Sequence, residues 1–112
     1  MKVYQGRAER TERGGFYVTV VDPNTGPRPL EPRNDLFNHS PDGFAWGYGG
    51  SAPAQLALAL AADVLGDDEQ AVAIHQRLKS ELITWLPQDQ DWDLTEAQVL
   101  STIKAIRRMS HV

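Results

Sequence analysis

The run SAPAQLALALAADVLG, from Ser51 to Gly66, constrains the fold of this chain more than any other stretch. Ser51 offers a hydroxyl that can cap free N–H groups, Pro53 sits in a first turn where a missing donor costs nothing, and Gly66 supplies a stop. A helix is therefore bracketed at both ends. Ala54, Ala57, Ala59, Ala61 and Ala62 let another backbone approach closely, while Leu56, Leu60 and Val64 form an apolar stripe. Such a helix must be covered, and the composition says by what. Eight of nine glycines and seven of nine aromatics precede Ser51, a mixture suited to strands and shaped loops, whereas the remainder is rich in Ala, Leu, Gln and Glu. Strands come first and helices after.

The clearest strand is FYVTVV, in which Phe16, Val18 and Val20 face one side and Tyr17, Thr19 and Val21 the other. Lys2 to Ala8 alternates more weakly, and Gly14–Gly15 separates the two. DPNTG, from Asp22 to Gly26, is a turn: Pro23 presets its backbone angle, Asn24 tolerates unusual ones and Gly26 allows positive φ. A third strand over Pro27 to Leu30 belongs on a sheet edge, because Pro27 and Pro29 cannot donate to a central ladder. A second helix runs from Asp67 or Asp68 to Leu86 before Pro87, with Ala71, Ile74, Leu78, Leu82 and Trp85 at helical spacing. The third opens with Thr95 and Gln98 in capping-box positions, flanked by Leu94 and Val99, and places Val99, Ile103 and Ile106 on one face. Arg107 and Arg108 complement the dipole at its end. The expected fold is α+β: a small antiparallel β-meander of two to four strands packed against three α-helices. With 112 residues it is a single domain, comprising a β-rich part (1–36), a Gly/aromatic loop (37–51) and a helical part (52–112).

Several function classes fall away on composition. Cysteine is absent, which removes disulfides, thiolate metal sites and a cysteine nucleophile and suits a reducing, cytoplasmic setting. No apolar run reaches the length of a membrane span, and the N-terminus lacks the apolar core of a signal peptide. The net charge of −4 lies in the second half, since residues 1–50 hold six Lys/Arg and six Asp/Glu while residues 51–112 hold five and nine. A duplex nucleic acid surface needs a net basic field and is not expected. The histidines and carboxylates form no catalytic or metal set. His75 reads as a solvated helix residue, His111 as terminal, and Asp89, Asp91 and Asp93 in QDQDWD as a solvated acidic linker without the glycine and late Glu of a calcium loop. Ser40 beside His39 is not a triad. No enzyme, cofactor or metal is expected.

The loop NHSPDGFAWGYGGS, from Asn38 to Ser51, supports two readings. SPDG is a turn, Phe44, Trp46 and Tyr48 alternate like a short strand, and the glycines permit a tight reversal against the alanine helix; packing alone accounts for all of this. The same residues suit a phosphate-bearing ligand. Amides of Gly49, Gly50 and Ser51 lead into a helix N-terminus and would take the phosphate, Trp46 or Tyr48 would stack on a base, and Asn38, His39, Ser40 and Arg33 would add polar contacts. GYGGS matches neither the dinucleotide fingerprint nor the lysine-bearing phosphate loop. A homo-oligomer would deepen the pocket of so small a domain.

The segment LFNHSPDGFAWGYGGSAPAQLALALAADVLGD, with the pattern NHSxxGFxWGYxGSxPxQLALA, resembles a family of small uncharacterised proteins of phages, plasmids and bacterial genomes. The similarity extends loosely to GGFYVTVV and LPQDQDWDLTEAQV. The resemblance transfers no catalytic residue; it implies an accessory protein of mobile elements with an anti-defence role. Two expectations follow. The first is a non-enzymatic protein that sequesters a nucleotide or nucleotide signal. The rival is a protein-interaction inhibitor or adaptor, of the anti-CRISPR kind or against another host complex, that sets an acidic helical face (Asp63, Asp67, Asp68, Glu69, Glu81, Asp89, Asp91, Asp93, Glu96) against a basic host protein.

Overall fold

A computed structural model describes residues 1–109. His111 lies outside them. The chain runs through β1 (Val3–Arg10), β2 (Phe16–Asp22), β3 (Gly26–Pro29), α1 (Ser51–Leu65), α2 (Asp68–Glu81), a 3-10 turn (Ile83–Trp85), β4 (Trp92–Thr95) and α3 (Glu96–Met109). A four-stranded antiparallel open sheet and three helices make this an α+β fold, with strand order β3-β2-β1-β4. The alternation read in β2 holds, because Phe16, Val18 and Val20 are buried while Tyr17 is exposed. β3 lies on the edge that its prolines require, pairing Pro29 with Thr19 and Pro27 with Val21.

The fourth strand corrects the sequence reading. QDQDWD is not wholly a solvated linker: Trp92–Thr95 returns to the sheet and pairs with β1, Tyr4 opposite Leu94 and Gly6 opposite Trp92. The inward residues of this short strand are the large apolar Trp92 and Leu94, and the outward one is Asp93, so its period of two was hidden by the alternating aspartates. Gly6 makes the pairing possible, since a Cβ there would overlap the Trp92 indole.

α1 is buried on every side rather than along a stripe, with each residue from Pro53 to Ala62 removed from solvent. Its N-cap is Gly50, not Ser51, and no side chain caps it; at the other end Gly66, at φ 62, donates its N–H to Ala62 O at 3.0 Å. α2 is capped by Asp67, which accepts from Gln70 N at 3.0 Å, and ends at Glu81 rather than Leu86. Leu82 leaves the helical region and a 3-10 turn follows, which keeps Ile83 in the core and leaves Trp85 80% exposed. α3 has the expected capping box: Thr95 N donates to Gln98 Oε1 at 2.8 Å and Gln98 N to Thr95 Oγ1 at 3.1 Å.

The glycine-aromatic loop is tied into this core. Phe16 N donates to Phe44 O at 2.8 Å, so the loop extends the start of β2 by one bridge. Trp46 is 0% exposed, lies edge-on to Trp92 with ring centroids 5.3 Å apart, and donates from Nε1 to Gln90 O at 2.9 Å. The next residue must be glycine: Gly47 has φ +84, and a Cβ would stand 2.5 Å from Gln88 Cα. Gly47→Ala is expected to destabilise the fold by roughly 2–4 kcal/mol in urea unfolding, from left-handed strain plus overpacking. Gly49→Ala, whose Cβ meets nothing within 4 Å, is expected to stay within about 0.5 kcal/mol of the parent.

Candidate functional site

The NHS segment is fastened by one buried amide. Gln55, wholly buried in α1, accepts from His39 N at 2.8 Å and from Ser40 N at 3.1 Å, and donates to Pro32 O at 2.6 Å. Asn34 Nδ2 adds bonds to Asn38 Oδ1 at 2.9 Å and to Ser40 O at 3.0 Å, and Ser40 Oγ donates to Gly43 O at 2.8 Å. A polar side chain inside an apolar helix is tolerated only when its donors and acceptors are met, and these loop groups meet them.

Held this way, the loop walls a cleft of about 280 Å³ beside the N-terminus of α1, lined among others by Arg10, Arg13, Ser40, Asp42, Tyr48 and Ala52. The first helical bond is Ala54 N to Gly50 O at 3.0 Å, so the Ser51 and Ala52 amides precede any helical acceptor and Pro53 has no donor. The first turn holds no acidic residue. Tyr48 is 41% exposed and its ring lies over Gly50. Arg10 is oriented by a 2.7 Å bond to Gly14 O and by the Phe16 ring, whose centroid is 4.2 Å from its guanidinium carbon. Two guanidinium groups, one carboxylate and the positive end of a helix dipole give this cleft a net preference for anions.

A larger cleft, about 550 Å³, lies toward the other end of α1 and has the opposite balance: Arg28 and Arg33 face Glu31, Asp35 and Asp63 over a floor of Leu30, Ala59 and Ala62. Asp63 organises it. The carboxylate takes Arg28 at 2.6 Å, the Tyr4 hydroxyl at 2.7 Å and Lys2 Nζ at 3.0 Å, joining β1, β3 and α1. Burial alone would raise the Asp63 carboxyl, but these three donors outweigh it and hold it below the usual aspartate range. Burial, and then the bond to Asp63, pushes the Tyr4 phenol well above its ordinary value. Arg33, at φ 59, is committed to Asp35 at 3.1 Å and Asp68 at 2.9 Å.

The third polar cluster is a histidine pair. His75, expected as a solvated helix residue, is instead 4% exposed; its Nε2 lies 2.9 Å from His39 Nε2 and its Nδ1 2.7 Å from Val72 O. Phe37 stacks on His39 with ring centroids 4.2 Å apart.

The residues singled out from sequence thus separate. Ser40 and Tyr48 line the α1 N-terminal cleft, into which Gly49, Gly50 and Ser51 lead. Asn38 and His39 brace the loop, Arg33 belongs to the larger cleft, and Trp46 presents no ring face to solvent. Of the arginines, sequence reasoning placed only Arg33 at the site and not Arg10 or Arg13, and it passed over Gln55, whose signal was a lone amide in an otherwise apolar run. The acidic face is largely spoken for: Asp63, Asp67, Asp68, Asp91, Asp93 and Glu96 each hold a cap, an ion pair or an amide. Among the described residues no group of three or more His, Asp or Glu could hold a metal ion, and no helix is long and apolar enough to cross a membrane.

Fold and clefts together describe a small α+β domain whose polar chemistry is gathered around one buried helix. The chain belongs to the family of unknown function DUF6166, whose model matches residues 4–105. No curated protein and no solved structure matches it.

The Asp63 cluster predicts a specific acid sensitivity. Because the folded carboxyl titrates below its unfolded value near 3.8, its stabilisation is complete above about pH 4 and lost as the pH falls through the folded value. Asp63→Asn leaves the partly solvated Lys2 and Arg28 without their carboxylate and is expected to cost roughly 1–2 kcal/mol at pH 7 and to flatten the acid limb of the stability curve below pH 4. Urea midpoints of both proteins from pH 7 to pH 2.5 check this.

Proposed function

We propose that the chain is a non-enzymatic binding protein that holds a phosphate-bearing small molecule, a nucleotide or nucleotide signal, in the cleft at the N-terminus of α1. The observation that carries the reading is the uncapped α1 terminus, free of acidic residues, placed beside Arg10 and Arg13. Phosphate oxygens would take the amides of Gly50, Ser51 and Ala52 and the two guanidinium groups, while the exposed face of Tyr48 offers the stacking surface that buried Trp46 does not. Ser40 lines the same cleft. Asn38, His39 and Arg33 serve the loop's architecture in this reading, not the ligand. A second copy of the chain over the open side would deepen the cleft, and sequestering a nucleotide signal fits an anti-defence role. The acidic-face alternative is weakened by how many of its carboxylates are already engaged.

Thermal melting against mono-, di- and cyclic nucleotides tests the proposal, since a ligand at 100 times its dissociation constant adds about 2.7 kcal/mol. A selective rise in Tm is expected. Arg13→Glu, a change at an exposed position, is expected to weaken that ligand at least about tenfold while leaving the ligand-free melt unchanged, because it removes a charge-assisted bond. A flat panel at millimolar nucleotide sinks the reading.

A further inference from the structure

The His39–His75 contact fixes its own protons. Val72 O only accepts, so the His75 Nδ1 2.7 Å from it carries hydrogen. In the neutral ring His75 Nε2 is then bare, and His39 Nε2–H donates across the 2.9 Å gap. One added proton is accommodated, because one ring can still present an N–H and the other a bare Nε2 across the gap. A second added proton is not, because it sets two N–H groups and two positive rings against each other at hydrogen-bond distance.

Among the described residues no carboxylate acts on His39 to offset the charge of a doubly protonated pair. Phe37 stacks on His39 from the loop, Gln55 of α1 is a neutral amide on the His39 backbone, and α2 contributes the Val72 carbonyl and the Lys79 ammonium, a further positive charge acting on His39. Burial first, then His75 and Lys79, holds His39 below the ordinary histidine range. Folding therefore loses stability as the pH falls below the unfolded value of 6.5 toward the folded one. The shared species is a proton and not a metal ion, since no third His, Asp or Glu among the described residues completes a metal-binding group and Lys79 opposes a cation.

We propose that His39 and His75 form a proton-operated latch, which holds the Arg33–Gly43 loop on α2 while the pair shares one Nε2 proton and releases it when both rings are charged. The bonds from His39 N and Ser40 N to Gln55 Oε1 are the next to break, because they hold the backbone on which His39 is mounted. Ser40, Asp42 and Gly43 wall the α1 N-terminal cleft, so opening the latch would discharge an anionic ligand at acid pH. That last consequence rests on the binding reading above; the latch does not.

NMR of the full chain, with ¹⁵N-labelled histidine and backbone amides, between pH 8 and pH 4.5 and without ligand, tests the latch alone. The pair is expected to titrate in two steps more than about one pH unit apart, with the His39 and Ser40 amide signals moving with the lower step. In His75→Gln the lower step disappears and those amides stay fixed; His39→Gln, read at the Ser40 amide, gives the same result should the first variant fail to fold. Independent titration of the two rings, amides that follow the upper step or do not move, or a lower step that survives in the variants overturns the latch whatever the nucleotide panel shows.

Discussion

Ten consecutive buried residues, Pro53 to Ala62, oblige everything else in this chain to wrap around α1. A helix that is apolar all round cannot lie on a surface, so the sheet, the loop and the other two helices are arranged as its cover. The many alanines keep that cover close, and the larger side chains that fill the remaining space come from the wrapping elements: Tyr4 and Val20 from the sheet, Trp46 from the loop, Leu78 from α2 and Ile103 from α3. The single core is the consequence. The uncapped start of α1 and the clefts near its two ends are where the wrapping stops.

Such burial would leave the wrapping segments free to slide if apolar contact were all that held them. Three polar side chains set the register. Gln55 seats the loop, Asp63 seats β1 and β3, and His75 seats the loop a second time from α2. Each is costly to bury unless its partners are in place, so each penalises an arrangement in which a segment has shifted. The two clefts differ in charge for the same reason. The cation-rich loop end meets the positive pole of α1, while carboxylates accumulate toward the negative pole and are balanced there by arginine and lysine.

What could be read from the residues alone was whatever has a local cause. The alternation of β2, the Thr95–Gln98 capping box, the prolines that send β3 to an edge and the stop at Gly66 all act within a few residues of themselves, and all are present. What was missed depends on partners far along the chain. Trp92 is a strand residue because Gly6 leaves room for its ring, and His75 is buried because Phe37 and His39 lie across it. Trp46 looked like a stacking platform because aromatics in glycine-rich loops serve both ligands and cores, and only its contacts with Phe16 and Trp92 distinguish the two uses. Arg10 and Arg13 lie some forty residues before Ser51, beyond the reach of any local pattern.

The pairing of β4 with β1 sets an order of events during synthesis. Val3 finds Thr95 opposite it, so a strand made early in the domain waits for one made much later. Until then β1 has an open edge and α1, the most apolar element, lacks part of its cover, so the nascent chain exposes the surface that aggregates most readily. The non-local closure of this sheet slows folding, because β1 and β4 meet only after a long loop has been closed. A chain stopped before Trp92 would keep most of its helices and still have no way to finish its sheet.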